Sequence, residues 1–304
     1  MVSNRLIVMI LNRVIFLFLM FLGVASFGQT EEQISWLNHY KDSLILLRNK
    51  TLLASNNSER ETANNLFNNT LSKVLSQDVS FRYNFDSIPS LGVLQAPDKS
   101  FRLITWNFPY NDGTHLYYCY LQRLHKKKRL GTRKTHDIQT VFFRDVSNTV
   151  ARAEKKVLSS DKWYGALYYE IIPVKKGGKT YYTLLGWDGN DQFTAKKIID
   201  VMYFAGGQIK FGAPIFKLGK SLTKRVIFEY SSDAVMSLKY DGFKKYIIYD
   251  HLSPIREDLE GIRQYYVPDM SFDALKYSKD KWEYVPDYDA RNKENILMPY
   301  TDPE

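Results

Sequence analysis

The hydrophobic pattern of the chain changes character twice. Val14 to Leu22 reads VIFLFLMFL, nine apolar residues without interruption. From Gln33 to Leu53 the apolar residues spread to a helical spacing, Ile34, Leu37, Leu44, Ile45 and Leu52, with Lys41 and Arg48 on the same stripe. From Ser58 the rhythm is cleaner. Ala63, Leu66, Phe67, Thr70, Leu71, Val74 and Leu75 follow i, i+3, i+4, i+7 and give a helix with one apolar face. Ser58 and Glu61 have the spacing of a capping box at its start, and Ala54 to Asn57 supplies the polar connection. The expectation is an α-helical hairpin. A coiled-coil dimerisation module is the alternative, but it needs three or four heptads and the segment holds barely two.

Beyond Phe81 helical spacing gives way to short runs rich in Tyr, Phe, Ile and Val. Strands are expected at Phe101–Phe108, His115–Leu124, Ile138–Arg144, Tyr164–Val174, Tyr181–Trp187, Lys197–Phe204, Ile209–Phe216, Arg225–Tyr230, Val235–Tyr240 and Lys245–Tyr249. Weaker ones are expected at Asp273–Tyr277 and Lys281–Val285, and a further helix over Val146–Leu158. Turn residues separate the runs: Asn111-Asp112-Gly113, Gly177-Gly178, Gly206-Gly207, Ser231-Ser232-Asp233 and Asp241-Gly242. Short strands joined by short turns imply antiparallel connections rather than βαβ units. The fold class is therefore mainly β: a large antiparallel meander, curled or barrel-like, behind an N-terminal helical hairpin. No blade motif recurs, and lysines and acids on both strand faces argue against a membrane β-barrel.

The first apolar run is an address. Residues 1–29 hold Arg5 and Arg13 and no acid, and Ala25-Ser26-Phe27-Gly28 follows the run. This is the charged, apolar and small-residue order of a secretory signal, expected to be cut between Gly28 and Gln29. An uncleaved anchor is the other reading, but nine residues fall short of the roughly 20 that a span needs. The residue immediately after the cut is Gln29 and not cysteine, which argues against a lipoprotein. The domains are then residues 1–28 as signal, 29–80 as helical hairpin, 81–289 as β domain and 290–304 as a flexible tail. The expected location is the periplasm or outside the cell, with no membrane span after cleavage and an oligomeric state left open. An exported chain does not normally meet chromosomal DNA, ATP or NAD. Its one cysteine, Cys119, lies in an apolar stretch and is expected to be buried.

Charge sharpens the picture. The formal net charge is +9. Leu121 to Lys134 reads LQRLHKKKRLGTRK, with Arg123, Lys126, Lys127, Lys128, Arg129, Arg133 and Lys134 and no acid. Together with Arg5 and Arg13 these seven account for the whole excess, so the rest of the chain is neutral. Between two expected strands, the run reads as a protruding hairpin loop. It is either a solvated edge guard or a contact for anionic lipid headgroups or an anionic glycan. Export makes nucleic acid an unlikely partner.

Chemistry leaves fainter marks. No nucleophile elbow, zincin helix, phosphate loop or dinucleotide fingerprint is present. Asp188, Asn190 and Asp191 in GWDGND could supply oxygens to a cation such as calcium, but Asp, Asn and Gly are equally the residues of a turn. No other cofactor is implied. Asp250 and His251 stand side by side and could serve acid–base chemistry. Neighbours on a strand point to opposite faces, however, so Asp250 cannot easily orient His251, and a turn cap closed by Pro254 is its plainer role. The rings of Trp163, Tyr164, Tyr168, Tyr169, Tyr181, Tyr182 and Trp187 could stack on sugars or simply line a core.

GWDGND at 186–191, FEYSSDA at 228–234 and YYVPDMSFDALKY at 265–277 resemble a family of exported Bacteroidota proteins, and the leader's ending Ser-Phe-Gly-Gln resembles their export signals. The resemblance implies location and no activity. The expected function is a non-enzymatic envelope protein that binds a partner or an anionic surface. The alternative is a metal-assisted hydrolase of an envelope polymer or glycan, using Asp188, Asp191 and His251.

Overall fold

The computed structural model describes residues 31–126 and 136–290, and at 125, 126, 136 and 137 the backbone alone. Contacts divide the chain into two units, residues 1–39 and 40–304. Of the first, only 31–39 are described, the opening turns of a helix. The segment expected to be a signal, 1–28, residues 127–135 of the basic run and residues 291–304 of the expected tail lie outside the described residues. No helix among the described residues is long and apolar enough to cross a membrane.

Helix α1 spans Glu31–Leu53 and helix α2 spans Asn57–Leu75. The cap of α2 is Asn56, not Ser58: its Oδ1 accepts from Glu59 N–H at 2.9 Å, and its amide donates to the Glu59 carboxylate at 2.9 Å. The pair has capping-box spacing, two residues earlier than the sequence pattern places it, because an extended residue is needed at the cap and Asn56 has φ −128°. Leu66, expected on the buried face, is 51% exposed, and Asn64 is buried in its stead. Its carbonyl oxygen accepts the Trp106 indole N–H at 3.0 Å. Arg48 earns its place on the apolar stripe of α1. Its guanidinium is fully buried and donates to the carbonyls of Pro89, Asn107 and Ser90. Burial, then the charge of Arg60, brings its pKa down to about 10.

The β part is antiparallel throughout save one short pair, and runs through three sheets, one curled into a half-barrel. The first is a simple meander of β1 (Gly92–Gln95), β2 (Phe101–Pro109), β3 (His115–Lys126) and β4 (His136–Arg144). The second contains β5 (Leu158–Ser159), β6 (Leu167–Lys176), β7 (Lys179–Asp188), β8 (Thr194–Ala205) and β9 (Gln208–Phe211) in the order 5-9-8-7-6. The third combines β10 (Phe216–Lys217), β11 (Leu222–Thr223), β13 (Leu238–Asp241), β14 (Tyr246–Pro254), β15 (Tyr266–Ser278) and β16 (Lys281–Val285). Strand β12 (Val226–Ser231) pairs with β8.

Period-two alternation explains the layering. On β3, Tyr117, Cys119 and Leu121 join a core shared with the second sheet, while Tyr120 and Gln122 bond to Asn68 and to the Leu75 carbonyl of α2. Both faces are covered, so this strand reads as a continuous apolar run. On β8, Ile198 and Met202 fill that first core, and Ile199 and Val201 fill a second one with Ile247, Leu275 and Trp282 of the third sheet. Trp163, Tyr164, Tyr168 and Tyr182 are core rings, and Cys119 is fully buried.

The strand expected at Val235–Tyr240 begins only at Leu238, with Val235 89% exposed, and two further elements differ more. Residues 146–158 form turns, a single 3-10 turn at Ala153–Lys155 and the short β5. The Asp145 carboxylate accepts from Ser147 N–H, Arg152 adopts φ +52°, and the carbonyls of Ala153 and Glu154 are taken by Arg225 and the Lys224 N–H. A helix would need those carbonyls for itself. The run Ile209–Phe216 breaks at Gly212, which has φ +84° and whose missing Cβ would lie 2.6 Å from the Lys156 carbonyl.

Candidate functional site

The GWDGND run closes β7 at Asp188 and opens the β7–β8 connection, residues 189–193, which is built on its own polar groups. Asp188 is buried, and its Oδ1 accepts from Asn190 N–H at 2.8 Å. Burial pushes its carboxyl up despite this bond and the Tyr117 hydroxyl beside it. Asp191 accepts from the N–H groups of Phe193 and Thr194 at 2.8 and 2.9 Å and from the Asn190 amide at 2.9 Å. Asn190 takes φ +50°, which an Asn tolerates, and its Oδ1 meets the Lys196 ammonium. Gly189 lies against the His115 ring, where a Cβ would stand 2.5 Å from Nε2. The oxygens that sequence offers to a cation are thus engaged in holding the β7–β8 connection. Among the described residues no group of three His, Cys, Asp or Glu is placed to hold a metal ion.

Asp250 and His251 sit on β14. Asp250 accepts the N–H of Ser237 at 2.7 Å, so it caps the approach to β13 rather than a turn at Pro254, which is still within the β14 ladder opposite Tyr266. The partner of His251 is Asp273. Tyr249 pairs with Asp273 across β14 and β15, and His251, two residues on, points to the same face. The ladder then slips: Asp250 pairs with Phe272 but Leu252 with Pro268, leaving His251 opposite Asp269, Met270 and Ser271. This bulge frees the ring from a direct cross-strand neighbour. Its Nδ1 donates to the Asp273 carboxylate at 2.8 Å. The His251 side chain is 44% exposed and that of Asp273 only 8%.

The surroundings raise the basicity of His251. The hydrogen bond to Asp273 is the largest cause, opposed by burial and reinforced by the charges of Asp273, Asp269 and Asp287. Asp269 is held at about 2: burial works against this, but the hydroxyls of Ser253 and Ser271 and the N–H of Ser271 outweigh it. Tyr284 is pushed up to about 12 by burial and by Asp273. Met270, at φ +71° and 94% exposed, is the strained apex of the bulge.

These groups open into a groove of about 500 Å³. Phe228, Tyr249, Tyr266 and Tyr284 form aromatic walls, and Glu154, Glu229, Asp250 and Asp273 contribute carboxylates. The fixed cation is Arg263, stacked on Tyr266 at 4.5 Å, and His251 adds a charge only when protonated. Glu229 accepts the Thr194 hydroxyl at 2.9 Å, which ties the 186–194 turn to the groove's edge without bringing Asp188 or Asp191 into it. Asp273, Tyr284, Glu229 and Arg263 escape sequence reading. The alternation Asp269, Ser271, Asp273 is the one trace, the signature of a polar strand face.

At the other candidate, β3 and β4 stay in register from Tyr118↔Arg144 to Lys126↔His136. Arg123 is half-buried, stacks on Phe204 at 4.9 Å and bonds to Gln139 at 2.6 Å. Lys126 is placed by its backbone alone. Lys127, Lys128, Arg129, Arg133 and Lys134 lie outside the described residues.

No protein-family model, no curated protein and no solved structure matches the chain.

Proposed function

We propose that the chain is an exported envelope protein, of the Bacteroidota kind its sequence resembles, that engages an anionic surface through the basic end of the β3–β4 hairpin. The supporting observation is the unbroken ladder up to Lys126 and His136. Residues 127–135, which join these two strands in sequence, hold five cations and no acid. Each basic residue near an anionic headgroup layer contributes about 1 kcal/mol, screened by salt. Vesicles containing phosphatidylglycerol should retain the protein at low ionic strength. Replacing Lys126, Lys127, Lys128, Arg129, Arg133 and Lys134 with Gln should release it. Unchanged retention of that variant rules the reading out.

A second reading, hydrolysis of an envelope polymer, is favoured by one observation: the His251–Asp273 pair opens into a groove. The metal that the sequence reading attached to it finds no support in the engaged oxygens of Asp188 and Asp191.

A further inference from the structure

We propose that His251 is the general base of a metal-independent site that hydrolyses neutral esters carried on polyhydroxylated compounds. The inference rests on the hydrolase reading and narrows it to one bond type and one residue.

A general base needs an open lone pair in a cavity, a fixed tautomer and a partner that stabilises its protonated form. Asp273 takes the Nδ1 proton, which leaves Nε2 as the acceptor, and Nε2 has no hydrogen-bond partner among the described residues. Asp273 is itself fixed by the Asp287 N–H at 3.2 Å. It acts as a positioning residue, since it reaches a substrate only through the imidazole.

The groove selects the substrate class. Four carboxylates against Arg263 and His251 repel an anionic ligand, while the walls of Phe228, Tyr266 and Tyr284 suit the faces of neutral rings. Acetal cleavage calls for a carboxylic acid to protonate a weakly basic oxygen. An imidazole with raised basicity suits acyl transfer to water instead. In that step Nε2 removes a proton from water, and the water oxygen forms a bond to the acyl carbon. The carbonyl oxygen takes the negative charge, with Arg263 the cation available to it. As the tetrahedral intermediate collapses, the C–O bond to the alcohol breaks and His251 returns its proton to the leaving oxygen. Water is consumed, and an alcohol and a carboxylic acid are formed.

The titratable and charged groups around His251 are Asp250 beside it on β14, Asp269 and Asp273 on β15, Tyr284 on β16 and Asp287 beyond it, Glu229 on β12, Glu154 in the 3-10 turn and Arg263 just before β15. The excess of acids moves the working ionisation above that of a free imidazole.

The test is acetate release by the full chain, freed of metal with EDTA, from O-acetylated xylo-oligosaccharides and from triacetin. Release is expected, rising with pH through one ionisation above 6.5. His251→Gln should lower kcat by at least about 100-fold with an unchanged melting temperature. Asp273→Asn should shift the ionisation to lower pH and lower kcat more than it changes KM, an effect a purely structural residue would not produce. Release that survives His251→Gln, or that EDTA abolishes, overturns the inference and leaves the hydrolase reading standing. So does cleavage of the oligosaccharide backbone without acetate release. Failure of every substrate overturns both.

Discussion

Two base–carboxylate pairs of this molecule have similar geometry and opposite surroundings. Arg225 Nη2 lies 2.9 Å from the Asp200 carboxylate with both side chains fully buried. His251 Nδ1 lies 2.8 Å from that of Asp273 with the imidazole nearly half in solvent. The first is sealed between sheets: Arg225 donates to the Ala153 carbonyl and stacks on Tyr164 at 5.4 Å. Burial raises the Asp200 carboxyl even beside an arginine. Its contact with Arg225 is close but poorly aligned, since Asp200 Oδ2 and Arg225 Nη2 lack hydrogen-bond geometry and Arg225 Nε has no acceptor. The second pair has good geometry and one open nitrogen. Desolvation makes the first pair a structural commitment, and exposure makes the second available for proton transfer.

Breaking the sealed pair should have the largest effect. Arg225→Met strands a buried carboxylate and should lower unfolding free energy by about 3–5 kcal/mol in urea denaturation. Arg225→Met with Asp200→Leu should recover most of that loss, because both desolvation costs vanish together. A double variant as unstable as the single one would make the pair a net stabiliser and blur the contrast. A smaller effect, about 1 kcal/mol, is expected for Asn56→Ala, which removes the cap of α2.

The open pair should matter least to stability. His251→Ala should change it by about 1 kcal/mol or less, because exposure screens the interaction. Its sign with pH is fixed by the direction of the shift. The folded protein holds the His251 proton more tightly than the unfolded chain. The contribution is therefore complete below about pH 6.5 and is lost as pH rises through the higher folded value. Asp269 works the other way. Held at about 2, it stabilises above the ordinary carboxylate range and loses that contribution as pH falls towards 2. Stability measured between pH 2 and 9 should show both trends, and each should weaken in Asp269→Asn, His251→Ala, with the remainder left to Asp98, Asp112, Asp161 and His115.

Much of this architecture is legible in the sequence because it rests on periodicity. The helical hairpin and most strands follow from 3.6- and 2-residue repeats, and the burial of Cys119 from the apolar run around it. The short β1, β5 and β11 have too few residues to show a period. The region 146–158 reads as a helix because Val150, Ala153 and Val157 share a face. Only the fold reveals that Lys224 and Arg225 claim its carbonyls. The site is the hardest part. His251 is visible in sequence, and the alternation of strand faces correctly disqualifies Asp250 as its partner. Asp273 lies 22 residues away and meets it only through a ladder whose register no local pattern specifies.

Titration of the histidine ring resonances shows whether Asp273 raises the basicity of His251 in the open groove. His115, half-buried beside the Asn107 amide, provides the internal contrast, since burial and then the charge of Arg60 lower its pKa. The native chain should show His251 above 6.5 and His115 below it, and Asp273→Asn should bring His251 down while leaving His115 in place. A His251 that titrates at or below 6.5, or that ignores the loss of Asp273, contradicts the account.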